Sequence, residues 1–398
     1  MAKISKINDN EIKRLINESK NKNPKITIYL PINTTLTSEH ISADYIRIKN
    51  IKNEVIKKLQ INHQDTDFIQ EFSQKIDEIM SDILSFHDLP QGLLMCISPG
   101  VAEIFRLPIE TKEYVVIDEQ FYLAPILGLI SDYQDFYLLV LSLHDPKLYK
   151  GDAYGLYPTS LKFDRSPDEL LNIDEINTEN VQAKSANGGG SGGYNGRGGE
   201  KDQANSDRQK FWRMIDRRII KSDEQKLPLI LAGVESEIAE FVSISSYPNI
   251  LSSHLEGSYR TFKPNDLFPQ VEQIIRQEII EPEHQKIIAE YNRLSIKRSD
   301  LIVDNTQDIT KASDQGMVDK LILAGLRFTA DTIKEKSKPE YVLSFPSPSI
   351  AKKINLAALN AWHASAKVIN LDMNQMPKIK TNMLAILRYS GGLSPSSY

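Results

Sequence analysis

Eight of the twelve residues from Gly188 to Gly199 are glycine, and no other stretch restricts the fold of this chain as much. A residue without a Cβ loses the most backbone freedom on ordering, so such a run joins no core unaided. It lies inside a longer polar stretch, residues 164–208, that is poor in large apolar side chains. Folded material must therefore lie on either side of it. With 398 residues the chain is expected to form two or three domains, because single cores rarely grow past about 250–300 residues. A hydrophobic content of 40% with 25% charged residues is ordinary for globular chains. The longest apolar run, Phe136-Tyr-Leu-Leu-Val-Leu141, is far below the ~20 residues of a membrane-spanning helix and reads as a buried strand. The polar start shows no secretory pattern, and the lone Cys96 forms neither an internal disulfide nor a thiolate zinc site. Both features point to a reducing cytoplasm and to no membrane partner.

Several chemistries are excluded next. There is no Gly-Lys dipeptide, hence no phosphate-cradling P-loop. No His lies in an H-E-x-x-H helix and there is no C-x-x-C, so no metal site is expected. Gly188, Gly190 and Gly193 fit G-x-G-x-x-G only because nearly everything there is glycine. The residues before them are loop-like, whereas a dinucleotide site needs a strand. No cofactor is expected. The net charge of −5 excludes a uniformly basic nucleic-acid binder, and any RNA contact must come from local patches.

Periodicity divides the chain into three α/β units. In residues 1–133, helices are expected over 9–20, 43–59 and 67–85. The strand Ile26–Leu30 ends at Pro31, residues 31–41 form a polar loop, and 93–97 with 102–106 form a hairpin turned at Ser98-Pro-Gly100. In residues 134–255, three meandering strands precede the glycine loop, 188–203. An amphipathic helix from Asp207 to Lys221, a strand ending at Gly233 and a helix over 235–243 follow. In residues 256–398, a long helix from Asp266 to Leu294 is interrupted by Pro282. Strands at 317–324, 341–345, 367–371 and 383–387 and a helix over 354–363 complete a layered α/β unit. His363 is expected to pack beside Trp362, and Cys96 to be core.

The loop and its helix run Asn195-Gly-Arg-Gly-Gly-Glu-Lys-Asp-Gln-Ala-Asn-Ser-Asp-Arg-Gln-Lys-Phe-Trp-Arg-Met-Ile-Asp-Arg-Arg218. This resembles the peptidyl-tRNA-hydrolysing loop of the class-one release factors of the archaeo-eukaryotic release factor / Pelota family, where Gly-Arg-Gly-Gly-Gln precedes a basic helix. Gly196, Arg197, Gly198 and Gly199 match position for position. Arg208, Phe211, Arg213 and Arg217 match the helix after a short insertion. Ile46-Arg-Ile-Lys-Asn50, Phe105-Arg-Leu-Pro108, Leu231-Ala-Gly-Val-Glu235, Ser246-Tyr-Pro-Asn249 and Ala385-Ile-Leu-Arg-Tyr389 look like bacterial homologues of these factors, a group that includes a ribosome hibernation factor. The resemblance implies an RNase H-like middle unit and a last unit like the kink-turn-binding ribosomal-protein fold. It implies a monomer bound in the A site of the 70S ribosome against 16S and 23S rRNA, acting under stress. Its carrier would be a translational GTPase, with elongation factor Tu the one suggested. The first unit would face the decoding centre, the middle loop the peptidyl-transferase centre, and the last unit the factor-binding side.

One departure bears on mechanism. Where release factors carry the Gln that helps place water at the ester, this chain has Glu200. A carboxylate beside a developing oxyanion supplies neither a donor nor positive charge. Like charges ~4 Å apart repel by about 4 kcal/mol at an effective dielectric near 20. The chain is therefore expected not to be an enzyme, with Gln203 the one displaced substitute for hydrolysis. From Arg197 to Lys221 there are eight Lys/Arg against four Asp/Glu, so Arg197, Lys201, Arg208, Arg213 and Arg217 are candidate phosphate contacts. Tyr194 offers a ring to stack on an exposed base, and Asn195, Glu200 and Gln203 complete the RNA-facing segment. Asn33, Thr34, Thr35 and His40 of the 31–41 loop, with Arg47 and Lys49 behind it, form a second candidate surface. The competing readings are a plain glycine linker and solvated faces of ordinary amphipathic helices.

Overall fold

The computed structural model describes residues 4–18, 24–32, 38–61, 65–83, 92–161, 163, 198–223, 225–259, 262–324, 327–329, 341–343, 347–372, 375–377 and 381–390. The chain opens with β1 (Ile4–Lys6), α1 (Asp9–Glu18), β2 (Lys25–Pro31), α2 (Ser38–Ile61) and α3 (Thr66–Ile83). There follow β3 (Gly92–Ser98), β4 (Val101–Leu107), β5 (Glu110–Thr111), β6 (Tyr114–Asp118) and α4 (Ala124–Asp132). Five of the strands form a sheet in the order β1-β4-β3-β2-β6. Successive side chains of β2 alternate between its faces, as a pleated strand requires. Ile26, Ile28 and Leu30 meet Ile48, Ile51, Val55 and Leu59 of α2 and Phe72, Ile76 and Ile79 of α3. On the other face Tyr29, with Leu94, Cys96 and Phe105 of its neighbours, joins Ile12 and Leu15 of α1 and residues 121–127.

The middle segment contains β7 (Phe136–Val140), β8 (Lys147–Asp152), β9 (Gly155–Pro158), α5 (Gly198–Ser222), β10 (Leu229–Gly233), α6 (Glu235–Ile244), β11 (Leu255–Glu256) and α7 (Pro264–Ile275). Its sheet order is β11-β10-β7-β8-β9. The meander β7–β9 is antiparallel, while β10 runs parallel to β7 and β11 parallel to β10. This 3-2-1-4-5 order is that of an RNase H-like sheet. After α7 the helix widens into a π-turn, Arg276–Ile280, and resumes as α8 (Glu281–Lys297). Pro282 explains the widening. It has no N–H, and its ring would press on the carbonyl four residues back. In the wider turn the N–H of Glu281 bonds to the Arg276 carbonyl instead.

The last elements are β12 (Ile302–Val303), α9 (Thr306–Asp314), β13 (Val318–Ala324), β14 (Arg327–Thr329), β15 (Tyr341–Leu343), α10 (Pro348–His363), β16 (Lys367–Leu371) and β17 (Met383–Leu387). They form the sheet β12-β17-β13-β16, while β14 pairs with β15 and β15 with β5 of the first segment. One face of the four-stranded sheet packs Ile322, Ile369, Leu384 and Ile386 on Ile287, Tyr291 and Leu294 of α8. The other packs Leu321, Leu323, Val368 and Ala385 on Ala351, Ile354, Ala357, Ala358 and Ala361 of α10, and this core is continuous with that of residues 7–129.

The described residues thus form two compact units, 4–133 with 284–390, and 134–283, where the sequence suggests three. Residues 256–283 group with the middle segment. The Phe262 ring meets Tyr149 of β8 edge-on at 5.6 Å, and Glu278 accepts the N–H of Ser252 at 2.9 Å. Buried polar bonds tie the two parts of the larger unit. Asn355 of α10 accepts the N–H groups of Leu123 and Ala124 at 2.8 and 3.1 Å and donates to the Phe121 carbonyl at 2.8 Å. Asn370 donates to the Pro125 carbonyl at 2.8 Å. Cys96 is fully buried, and burial pushes its thiol well up. His363 differs from expectation, because the last turn of α10 leaves it exposed.

Candidate nucleic-acid interface on the middle unit

The helix α5 is placed by its apolar stripe. Phe211, Trp212, Ile215 and Ile219 are all buried and pack on Leu139, Leu229 and Leu231 of the sheet and on Ile238 and Phe241 of α6. The Trp212 ring lies 6.2 Å from Phe241, edge-on. A buried indole needs an acceptor for its N–H, and Trp212 Nε1 donates to Glu240 Oε2 at 3.2 Å. The other oxygen of Glu240 holds Arg208 at 2.7 Å. Two further carboxylates fix the rest of the helix. Asp216 accepts from the Ser245 hydroxyl and, at 3.0 Å, from the Ser246 N–H. Asp223 accepts the N–H of Leu227 at 2.9 Å and that of Gln225 at 3.1 Å, and lies against the Tyr247 hydroxyl. Burial and the neighbouring Asp223 push the Tyr247 phenol up.

The opposite face is basic. Arg213, Arg217 and Lys221 are exposed and stand four residues apart, so they line one side of the helix. None has an ion-pair partner among the described residues. Lys210 is drawn to Asp207 at 3.1 Å. Of the three helix arginines singled out in the sequence, Arg213 and Arg217 thus face outward, while Arg208 serves the internal anchor.

The helix also starts earlier than its periodicity indicates, at Gly198 rather than Asp207. Gly198, Gly199, Glu200, Lys201 and Gln203 therefore belong to its first turns and not to the loop. Glu200, Lys201, Asp202, Gln203 and Ala204 explain the extension. All but Asp202 are good helix formers, and the two carboxylates suit the positive N-terminal end of the helix dipole. The side chains of residues 198–205 lie outside the described residues, as do Tyr194, Asn195, Gly196 and Arg197.

The second candidate surface is less open. Asn33, Thr34 and Thr35 lie outside the described residues, and His40 is in the first turn of α2 with its side chain outside them. The sequence placed His40 in a loop; α2 begins at Ser38. Arg47 is turned inward, donating to Asp44 Oδ1 at 2.7 Å and to the Pro31 carbonyl at 2.9 Å. Lys52 pairs with Asp77 at 2.6 Å and Lys58 with Glu54 at 2.6 Å, while Lys49 and Lys57 are exposed. Glu240, Asp216 and Asp223, which hold the basic helix in place, were not singled out in the sequence. The buried Trp212 is the one signal that demands such an acceptor.

Among the described residues no group of three or more His, Cys, Asp or Glu is placed to hold a metal, and no helix is long and apolar enough to cross a membrane. Residues 136–277, which contain the whole of this arrangement, match the sequence family described as bacterial archaeo-eukaryotic release factor family 7. No curated protein matches the chain in sequence. Among solved structures, the archaeal translation termination factor aRF1 is similar at 13% identity, over 96% of this chain and 99% of that one, with a TM-score of 0.24. Archaeoglobus fulgidus Pelota is similar at 11% identity over 75% and 79%, with a TM-score of 0.32. Ribosome-bound archaeal Pelota gives 8% over 97% and 96%, with a TM-score of 0.37. The family 7 match covers the middle unit from β7 into the π-turn.

Proposed function

We propose that the chain binds the 70S ribosome in the A site, blocks tRNA entry and holds idle ribosomes without hydrolysing peptidyl-tRNA. The observation that supports this most is the exposed row Arg213, Arg217 and Lys221 on a helix rigidly seated in a family 7 domain. That helix begins within the Gly-Arg-Gly-Gly run, at Gly198. A rigid basic helix behind a glycine finger suits phosphate contacts that position a protein on RNA. Lack of hydrolysis follows from Glu200, whose charge opposes the oxyanion that the reaction must stabilise. Delivery by elongation factor Tu and action as a monomer belong to the same proposal.

Cosedimentation with 70S ribosomes tests it. The protein should pellet with ribosomes at moderate salt. Arg213→Glu with Arg217→Glu should flatten the dependence of log K on log salt by roughly 2, about one unit per lost phosphate contact. Absence from the ribosomal pellet overturns the proposal. The second reading is a rescue factor that hydrolyses peptidyl-tRNA, and it rests on Gln203 lying one helical turn from Glu200 in α5. Release of labelled peptide from stalled ribosomes, lost in Gln203→Ala, would establish that reading in place of the first.

A further inference from the structure

We propose that Lys226, in the turn between α5 and β10, extends the basic row of α5, and that the extended row takes the backbone of a paired RNA segment. This deepens the ribosome-binding reading and rests on it. After α5 ends at Ser222 the chain reverses toward β10. In that reversal Lys226 has a φ of +54°, and Ser365 is the one other non-glycine residue with positive φ among the described residues. A Cβ disfavours this left-handed region, which glycine enters freely. The turn is held in place from several sides. Asp223 accepts the N–H of Gln225 at 3.1 Å and that of Leu227 at 2.9 Å. Asn249 Nδ2 donates to the Lys226 carbonyl at 3.2 Å, and the Tyr247 hydroxyl reaches the Leu227 carbonyl at 2.6 Å. None of these bonds uses the Lys226 side chain, so the turn itself has no need of a lysine. That side chain is exposed and has no ion-pair partner among the described residues.

The row that it joins has a definite chemistry. Gln209, Arg213, Arg217 and Lys221 are exposed and recur every four residues, a step of about 6 Å along the helix axis. That step is comparable with the distance between neighbouring phosphates on one nucleic-acid strand. The described carboxylates of the helix do not neutralise the row. Asp207 is engaged with Lys210, and Asp216 with Ser245 and Ser246. Asp223 is buried in the turn.

The same face indicates which form of RNA it suits. Proteins that bind single strands stack the bases on exposed rings. Both aromatic residues of α5, Phe211 and Trp212, are fully buried, so the row offers no ring. Paired RNA is recognised instead through its phosphates and 2′-hydroxyls. Arginine and lysine suit the phosphates, and the Gln209 amide both donates and accepts, as a 2′-hydroxyl requires.

Fluorescence anisotropy of the full-length protein with labelled RNA tests this. A duplex of about 16 base pairs should bind, and one of unrelated sequence should bind equally well. A single strand of the same length should bind at least about tenfold more weakly, a gap of about 1.4 kcal/mol. Lys226→Gly should keep the thermal midpoint or raise it, because glycine suits the positive φ. It should also lower the slope of log K against log salt for the duplex by roughly 1. Lys226→Arg should keep the full slope. Failure of the duplex to bind, tighter binding of the single strand, or an unchanged slope in Lys226→Gly overturns the proposal. If the wild type pellets with ribosomes while Lys226→Gly keeps the duplex slope, this inference fails and the ribosome-binding reading stands. If the duplex binds as expected but the wild type stays out of the ribosomal pellet, the ribosome-binding reading fails instead.

Discussion

Asn355 shows how much a single side chain can carry in this chain. It is buried, and it satisfies two backbone N–H groups and one carbonyl of residues 121–124. Replacing it with Ala leaves those groups without partners in a dry environment, at about 1–3 kcal/mol for each lost interaction. We expect Asn355→Ala to cost about 3 kcal/mol or more in urea unfolding monitored by circular dichroism. A loss under about 1 kcal/mol would mean that water replaces the side chain. Glu278 gives a pH-dependent case. Partial burial raises its carboxyl, but the N–H groups of Ser253 and Ser252 bring it below the ordinary 4.5 overall. A carboxyl lowered in the folded state adds stability above its unfolded pKa, and that stability is lost as pH falls through the folded value. Wild type should therefore lose more thermal stability than Glu278→Gln on acidification from neutral to below pH 4.5. Parallel curves would refute this. Neither Asn355 nor Glu278 was legible in the sequence. The partners of Asn355 lie more than 230 residues away, whereas the Gly-Arg-Gly-Gly run is contiguous and could be read directly.

Helices with one buried stripe were readable, whereas α4 and β6 were not. The periods of α2, α3 and α5 appear in the sequence because each has one wet face. The helix α4 reads Ala-Pro-Ile-Leu-Gly-Leu-Ile-Ser-Asp with seven of its nine residues buried, so no polar stripe marks it. The strand β6 is half-buried along its whole length, which removes the alternation that marks a strand. The seat of α5 gives the element-scale prediction. Trp212 is fully buried and donates to the acceptor that also holds Arg208. Trp212→Ala should destabilise the middle unit by about 3–5 kcal/mol, the usual cost of emptying a buried aromatic site. It should also release Arg208. Trp212→Phe keeps most of the volume and should recover most of the stability, while leaving one Glu240 oxygen without its indole donor. Equal losses in both variants would show that the hydrogen bond, and not the packing, holds the helix.

At the scale of the whole molecule, the boundary near residue 133 was legible as a change of pattern, but the joining of 4–133 to 284–390 was not. An apolar side chain records that it will be buried and nothing about which segment will cover it. Tyr29, Phe105 and residues 121–127 share one core with Ile309, Leu321, Ile354 and Val368. A fragment ending at residue 133 would therefore expose the side of α4 that packs on α10 and β16, and it would leave Leu123 N–H and the Phe121 carbonyl without Asn355. Exposed apolar area on that scale drives self-association. Residues 134–283 have their own closed core between the sheet, α5 and α6. We expect residues 134–283 expressed alone to unfold in one cooperative transition and to run as a monomer on gel filtration. Residues 1–133 alone should aggregate and become soluble when coexpressed with residues 284–398. Independent folding of 1–133 would show that its sheet packs on α1 and α4 well enough without the second segment, and that the shared core is a docking surface between two separate domains.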